Sequence, residues 1–333
     1  MTGVPRPLRL AYLVSSYRSG EQLARLLRTL RRNDPAAEIV LLHNGFENPL
    51  DPAVVDAVDG HLHLTTAPVV WGDASLERER HRVLRWVLAE LDVDWVVTLS
   101  EQDYPVAPAA DLHARLRDTP ADAVLDAHPV AATGDPAVAR DLRRRYGFRY
   151  ATLPSWPGGR RSPRALRRAG ELLAEVLERT QPFVRLYLLP VGTGLPPKVG
   201  RRAAPPVAGC ELWWGSAWFA LSRRAVAALL QRFETPEGQA LLDFFDHTVI
   251  PTEAVVPTLL AAEPGLVVER AALHEIRFSD PGSGRPDEFG VADLPHLLGS
   301  GRFLARKFTP GDPVLDALDV ATGPAQSAVG SPG

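Results

Sequence analysis

The chain has 333 residues, of which 45% are hydrophobic and 23% charged, and these proportions are typical of a soluble globular protein with a sizeable core. The formal net charge of −3 argues against nucleic-acid binding, which would need a broad basic surface. A single cysteine, Cys210, excludes an intramolecular disulfide and a cysteine-rich zinc site.

No segment of the sequence suggests a membrane anchor or a secretion signal. The apolar runs fall short of the ~20 residues that span a bilayer. The N-terminus MTGVPRPLRLAYLVSS also lacks the apolar stretch of a signal peptide. The sequence therefore predicts a cytoplasmic protein without a membrane span.

The first predicted elements form a β-α-β unit. Residues 8–17 are an apolar run rich in strand-forming residues, and residues 38–44 predict a second buried strand. Between them, residues 20–34 predict a helix because leucines recur at helical spacing. These leucines are Leu23, Leu26, Leu27 and Leu30. Such units pack as parallel sheets with right-handed crossovers.

The same alternation continues along the chain. Residues 62–66 predict a third strand, residues 73–92 a long amphipathic helix, residues 94–103 a fourth strand and residues 109–118 a short helix. The predicted fold class is therefore α/β, with a mostly parallel central sheet flanked by helices. The glycine fingerprint of a dinucleotide site is missing after the first strand, where the sequence reads VSSYRSG, so chemistry on NAD is disfavoured.

Polar residues stand where the predicted strands end. Ser15 and Ser16 end the first strand, Asn44 follows the second, and residues 100–103 end the fourth. Because ligands of open parallel sheets bind at the carboxyl ends of the strands, we expect a nucleotide to bind at this edge.

The sequence predicts one domain that ends at residue 320, followed by a tail, and the domain divides into three parts by composition. Its middle part is rich in Arg, Gly and Pro and contains one predicted helix at 164–179. This part is either a set of solvated loops around an exposed helix or the frame of an acceptor pocket. The parts are a nucleotide-binding half (1–130), the Arg- and Pro-rich segment (134–208) and a catalytic and phosphate-binding half (209–320), and the disordered tail is 321–333.

Four segments carry a family pattern. They are VVWGDASLERE (69–79), WVVTLSEQDYPV (95–106), GSAWFALSRRAV (215–226) and residues 250–308, which begin IPTEAVVPTLL and end FLARKF. Taken together and in this order, they resemble the core-2/I-branching β-1,6-N-acetylglucosaminyltransferase family, which includes the peptide O-xylosyltransferases. The resemblance implies a GT-A-type, Rossmann-like fold and an inverting transfer of a sugar from a nucleotide diphosphate to a hydroxyl, without a metal.

Basic residues near the C-terminus are the expected phosphate ligands. A departing nucleoside diphosphate builds up negative charge, which a metal or fixed cations must neutralise. Arg306 and Lys307 in FLARKF offer such cations, although both could be solvated charges after a strand. In the resemblance, Lys307 matches the family's phosphate-binding lysine and Arg285 a second basic residue upstream.

Glu253 is the expected general base. An acceptor hydroxyl must lose its proton as it attacks, and a carboxylate can accept it. By its position alone, at the start of an apolar run, Glu253 is more typical of a partner of a helix dipole than of a base. The resemblance favours catalysis, because PTEAVVPTLL matches the family's Pro-x-Glu segment, whose glutamate is the base.

Other residues match donor and acceptor contacts of the family. Trp71, Gly72 and Ser75 match its WGxxS segment beside the nucleotide sugar, although a tryptophan there can also serve the core. At the nucleoside, this sequence has Asn44 where core-2 enzymes have Asp, and Ser15 and Ser16 in place of a His-containing segment.

A tryptophan-rich segment is the expected acceptor side. Ser216 and Trp218 match the family's Gly-Ser-x-Trp/Tyr-Phe, and Trp214 is the third residue assigned to the acceptor. An indole can stack on a sugar face, although packing accounts for at least one of these tryptophans. His247 and His274 are interpreted as capping or core residues.

Two acids lie at the end of the fourth strand. The family segment reads Ser-x-x-Asp-Tyr/Phe-Pro, so Asp103 has the family position, where it either ties down the loop or contacts the sugar. Glu101 is interpreted as incidental. The alternative is a divalent metal site made of both acids and phosphate oxygens.

The sequence thus predicts a glycosyltransferase (hexosyl- or pentosyltransferase) that uses a UDP-sugar, with N-acetylglucosamine or xylose as the sugar and no cofactor. The acceptor is expected to be a small molecule or a peptide. The family's animal members carry a Golgi anchor and paired cysteines. This sequence shows neither feature, and we therefore expect a bacterial cytosolic enzyme. The alternatives are a metal-dependent transferase and a non-catalytic nucleotide-sugar-binding protein of the same fold.

Overall fold

The computed structural model describes residues 6–18, 20–46, 48–70, 72–153, 164–188, 197–279 and 285–324, with backbone only for 164–167. The strands are β1 (Leu10–Ser16), β2 (Glu38–His43), β3 (His61–Leu64), β4 (Trp95–Ser100), β5 (Asp103–Pro105), β6 (Ala123–Pro129), β7 (Phe148–Thr152), β8 (Val184–Tyr187), β9 (Lys198–Arg202), β10 (Trp213–Ser222), β11 (Val268–Glu269), β12 (His274–Ile276) and β13 (Leu304–Arg306).

Helices connect most of these strands. The α-helices are α1 (Glu21–Asn33), α2 (Ala53–Asp56), α3 (Ser75–Glu90), α4 (Ala109–Asp118), α5 (Pro136–Tyr146), α6 (Arg164–Thr180), α7 (Arg223–Glu234), α8 (Pro236–Asp246), α9 (Val255–Leu260), α10 (Leu294–Gly299) and α11 (Val314–Thr322). Short 3₁₀ turns lie at Val130–Ala132, Pro251–Glu253 and Val291–Asp293.

The central sheet has the strand order β11-β6-β10-β4-β1-β2-β3. Its neighbouring strands are parallel except at β10, which runs antiparallel to both β4 and β6. The predicted α/β class with a mostly parallel sheet is confirmed. The predicted elements from the first strand through α4 are also confirmed, within a few residues at their ends.

Both faces of the sheet are covered, which explains why its strands are almost wholly apolar. Side chains of β1 alternate between the layers: Leu13 packs with α3, α7, α8 and α9, whereas Tyr12 and Val14 pack with α1, α4 and α11. The leucines predicted to form the inner stripe of α1 are all buried. The sheet is therefore a rigid platform whose carboxyl edge can carry a site.

Two smaller sheets flank the platform. One has the order β12-β13-β5 and places the C-terminal strand β13 beside the end of β4. The other, β7-β9-β8, is formed by the Arg-rich segment. The solvated-loop interpretation of this segment is therefore wrong for its described part, because α5 and three strands form there. The helix predicted at 164–179 is confirmed as α6.

The C-terminal helix α11 ends at Thr322, two residues beyond the predicted domain end, and most of the predicted tail lies outside the described residues. Among the described residues, no helix is both long enough and apolar enough to cross a bilayer.

Candidate functional site

The ends of β1, β2 and β4 meet at the carboxyl edge of the central sheet. The Asn44 N–H donates to the Ser16 carbonyl at 2.8 Å, and the Glu101 N–H donates to the Ser15 carbonyl at 3.1 Å. Ser16 Oγ also lies 2.6 Å from Nδ1 of His43. The structure therefore brings together the predicted residues Ser15, Ser16 and Asn44, all of them buried.

A loop between β3 and α3 links this edge to the segment of Glu253. Asn44 Nδ2 donates to the Val69 carbonyl at 3.4 Å, and the Ile250 N–H donates to the Gly72 carbonyl at 3.0 Å. Gly72 has φ +83°, a conformation that glycine adopts without strain. The match at Trp71 lies outside the described residues.

The backbone just before Glu253 is strained. Ile250 has φ +54° and ψ +53°, and a β-branched residue rarely adopts this left-handed conformation. Pro251 follows it and begins the 3₁₀ turn that ends at Glu253. Residues in such conformations persist where the surrounding structure enforces them, and they cluster at functional sites.

Glu253 forms an ion pair that the sequence did not predict. Its Oε2 accepts a hydrogen bond from Arg145 Nη1 at 2.6 Å, and Arg145 Nη2 lies 2.6 Å from Asp141. The Glu253 side chain is 34% exposed. Burial raises the pKa of Glu253, while the positive charges of Arg145 and, to a smaller extent, Arg306 oppose that rise.

Two sequence signals could have located Arg145. The Asp135–Pro136 pair is typical of a helix start, and the Asp135 carboxylate caps α5 by accepting from the N–H groups of Ala137 and Val138. Leu142 and Tyr146 are then the buried residues of α5. Arg145 lies three residues after Leu142 and therefore shares its side of the helix.

Asp103 ties together the loop after β4 and the strand β13. Its carboxylate accepts from Ser100 N–H at 2.6 Å and Ser100 Oγ at 3.0 Å, and it lies 3.4 Å from Arg306 Nε and 3.5 Å from His274 Nε2. The residue is fully buried. Burial alone would raise the pKa of Asp103, but Arg306, His274 and Ser100 outweigh this effect and lower it. These contacts favour the tie-down role over contact with a sugar.

Glu101 has a structural partner of its own. Its Oε2 accepts from the backbone N–H groups of Tyr17 at 2.9 Å and Arg18 at 3.0 Å. Burial raises the pKa of Glu101, and these N–H groups oppose the rise. The interpretation of Glu101 as incidental is therefore corrected, because this carboxylate fixes the chain that leaves β1. Within the described ranges, no group of three His, Cys, Asp or Glu side chains could hold a metal ion.

The predicted basic residues lie on and beside β13. Arg306 stands opposite Asp103 in the β13–β5 ladder, and its side chain is 16% exposed. Lys307 Nζ lies 3.5 Å from Glu288 Oε1, and the Lys307 N–H donates to the Asp287 carbonyl. Arg285 is exposed on the same neighbouring segment. Arg306 and Lys307 thus adjoin the segment that follows Arg285, through the backbone hydrogen bonds of Lys307 with Asp287 and Phe289.

Gly215 allows β10 to bulge where the acceptor residues were predicted. A Cβ at Gly215 would lie 1.8 Å from the Asp126 carbonyl oxygen, so only glycine fits against β6 there. The register with β6 shifts between Gly215 and Phe219, and Ser216 Oγ accepts from the Trp218 N–H at 3.1 Å.

The two predicted acceptor tryptophans have different surroundings. The Trp218 ring is 9% exposed and lies 4.9 Å from the Arg306 guanidinium and 6.0 Å from the His274 ring. Trp214 instead packs against the ring of His128 at 5.7 Å. Trp218 therefore lies beside a predicted phosphate ligand, and its burial leaves little of the ring for stacking on a sugar.

Comparison with known proteins relates part of the chain to a glycosyltransferase. Over 123 residues the chain is 30% identical to beta-glucuronosyltransferase GlcAT14A of Arabidopsis thaliana. This similarity covers 36% of the chain and 27% of that relative, so the chain matches less than a third of the relative's length. No protein-family model matches the chain.

Three solved structures resemble the chain distantly. The 4-diphosphocytidyl-2C-methyl-D-erythritol synthase of Anaerococcus prevotii is 12% identical with a TM-score of 0.32, over 89% of this chain and 99% of that one. HddC of Yersinia pseudotuberculosis is 8% identical with a TM-score of 0.24, over 37% and 60% of the two chains. A197 of STIV is 13% identical with a TM-score of 0.26, over 69% and 70%. Because these TM-scores are low, the fold assignment rests on the strand order of the central sheet and not on these structures.

Proposed function

We propose that the protein is an inverting, metal-independent glycosyltransferase that moves a sugar from a UDP-sugar to an acceptor hydroxyl. In this proposal Glu253 is the general base, and Arg306 and Lys307 neutralise the departing diphosphate. N-acetylglucosamine and xylose are the sugars that the sequence favours. Glucuronic acid joins them, because the related plant protein is named a beta-glucuronosyltransferase. A small molecule or a peptide in the cytoplasm is the proposed acceptor.

One observation carries the proposal. The hydrogen bond from Ile250 to Gly72 joins the strained turn of Glu253 to the loop between β3 and α3. The same loop accepts a hydrogen bond from Asn44, which lies at the carboxyl edge of the central sheet. A partly exposed glutamate side chain is thereby held near the strand ends where α/β sheets bind nucleotides. A protein that only binds nucleotide sugars has no need of such a base.

The proposed reaction is a single displacement. The acceptor oxygen attacks the anomeric carbon while the bond from that carbon to the diphosphate oxygen breaks, and Glu253 takes the hydroxyl proton. The electron pair of the broken bond leaves with the nucleoside diphosphate. Arg306 and Lys307 stabilise the negative charge that develops on it. Attack opposite the leaving group inverts the anomeric centre.

The contacts of the two acids support the metal-free form of the proposal. Asp103 is fully buried and surrounded by Ser100, Arg306 and His274, while Glu101 uses one oxygen on two backbone N–H groups. A metal-dependent mechanism would require Asp103 to leave these partners, whereas Glu101 would keep its backbone contacts and offer only Oε1, which has no hydrogen-bond partner among the described residues.

A donor panel tests the proposal. UDP-N-acetylglucosamine, UDP-xylose and UDP-glucuronic acid would be incubated with the protein, and UDP release would be measured with and without candidate hydroxyl acceptors. We expect at least one donor to be turned over by the wild type and not by Glu253→Gln. Glu263→Gln is the matched control, because Glu263 lies just beyond α9 and pairs with Arg232. Equal turnover by wild type and Glu253→Gln would contradict the proposal.

A further inference from the structure

Two side chains of α3, Glu77 and Arg80, form a buried ion pair that the proposed mechanism does not use. Arg80 Nη1 lies 2.6 Å from Glu77 Oε1, and the two side chains are 1% and 4% exposed. Arg and Glu are seldom buried so completely, and the cost of removing both charges from water can exceed the attraction between them. The pair therefore calls for a reason other than stability.

The guanidinium of Arg80 is also incompletely bonded. Among the described residues, Arg80 Nε and Nη2 have no hydrogen-bond acceptor. Two aromatic rings face the guanidinium instead. The guanidinium carbon of Arg80 lies 5.7 Å from the ring centre of Trp218 and 5.5 Å from that of Phe219. Buried donors without acceptors are costly, and such departures from good packing are expected at functional sites.

Trp218 connects Arg80 to a predicted phosphate ligand. The same indole ring lies 4.9 Å from the guanidinium carbon of Arg306, whose Nε lies 3.4 Å from Asp103. Arg306 is thus supported by Asp103 and by an indole that Arg80 also contacts. Both contacts are cation–π interactions, which are strongest where water is excluded.

We propose that Arg80, held by Glu77, is a positioning residue that fixes Trp218 and through it sets the orientation of Arg306 toward the donor diphosphate. The inference rests on the proposed function, because it assigns Arg306 a diphosphate to meet. Without the guanidinium of Arg80, the indole loses one of its two cationic neighbours and gains room to move. Only Asp103, which lies beside the Nε of Arg306, would then hold the guanidinium of Arg306, and the orientation of its terminal nitrogens would be less well defined.

The test replaces the pair by apolar residues. In Glu77→Leu/Arg80→Met no buried charge is left unpaired, and replacements of this kind are often neutral or stabilising. The protein should therefore fold, with an unfolding temperature close to that of the wild type. UDP affinity, measured by calorimetry, should fall about tenfold, a size typical of coupling between neighbouring packed residues. Arg85→Met is the control: Arg85 lies on the same helix, pairs with exposed Glu234, and should leave affinity unchanged.

A double-mutant cycle shows whether the effect passes through Trp218. In a Trp218→Phe background, the Glu77→Leu/Arg80→Met change should cost little further affinity, because the connecting indole is already gone. A purely structural pair would lower the unfolding temperature and leave UDP affinity the same in both backgrounds. An unchanged affinity in the folded variant, or an equal loss with and without Trp218, would overturn the inference and leave the proposed function standing. A wild type that binds no UDP would overturn both.

Discussion

Arg145 Nη1 donates to Glu253 Oε2 at 2.6 Å and joins residues that are 108 positions apart in the sequence. The contact orients the carboxylate proposed as the base, and the neighbouring cation favours its charged form against the effect of burial. It also brings the Arg-rich segment to the candidate site, because α5 carries Arg145 from there.

The first prediction concerns Glu253 itself. Glu253→Gln keeps the shape of the side chain but cannot accept a proton, so turnover should fall ~100-fold or more while UDP affinity is retained. Steady-state kinetics and calorimetry measure the two quantities. Near-wild-type turnover would show that the base is elsewhere.

The second prediction concerns the pH dependence of activity. Burial raises the pKa of Glu253 and Arg145 opposes that rise, so Arg145→Met should raise the pKa further. Because the base must be ionised, the acidic limb of the kcat/KM profile should move to higher pH. Arg149→Met is the control, since Arg149 lies on β7, the strand that follows α5, and pairs with Asp243 of α8. An unmoved or oppositely moved limb would mean that Glu253 does not set it.

The third prediction concerns phosphate neutralisation. Lys307→Ala should weaken UDP binding by ~1.5–3 kcal/mol, the contribution of a charge-assisted hydrogen bond, with little effect on folding. Glu288→Gln is an informative partner variant, because it removes the carboxylate that lies 3.5 Å from Lys307. UDP affinity in that variant should not fall. Unchanged affinity in Lys307→Ala would place the phosphate site elsewhere.

The fourth prediction concerns the buried carboxylate of Asp103. Asp103→Asn leaves Arg306 without its charged partner, and breaking a buried pair typically lowers the free energy of unfolding by ~3 kcal/mol. The pKa of Asp103 is lowered in the folded protein, so its contribution is present above the unfolded pKa and is lost as the pH falls through the folded value.

Denaturant unfolding measured across a pH series tests this fourth prediction. The difference between the wild type and Asp103→Asn should be largest near neutral pH and should shrink in acid. Asp111→Asn, at an exposed position in α4, should change little. A stability difference that is constant with pH would contradict the role assigned to the Asp103 charge.

The sequence predicts those parts of the fold that depend on local pattern. The leucine spacing of α1 and the apolar run of β1 specify both the element and the buried side, because a helix has 3.6 residues per turn and a strand alternates. The polar residues at the strand ends follow from this, since parallel strands bring their carboxyl ends to one edge. Ser15, Ser16 and Asn44 were found in this way.

Contacts between distant segments are not predictable from such patterns. Arg145 of α5 meets Glu253, and Arg80 of α3 meets Trp218 of β10, only in the folded protein. The antiparallel insertion of β10 between β4 and β6 likewise depends on tertiary pairing. Trp218 was predicted as an acceptor residue, and its contacts with Arg80, Arg306 and His274 were not predicted, because these partners come from three other parts of the chain.

The fifth prediction is the most direct test of the central claim, that fixed cations rather than a metal meet the leaving diphosphate. Turnover of the best UDP-sugar would be measured in excess EDTA and after addition of Mn²⁺ or Mg²⁺, with Glu253→Gln as the inactive control. We expect the wild type to keep its activity in EDTA, because Arg306 and Lys307 already supply positive charge. Loss of activity in EDTA that Mn²⁺ or Mg²⁺ restores would contradict the account and return Glu101 and Asp103 to the role of metal ligands.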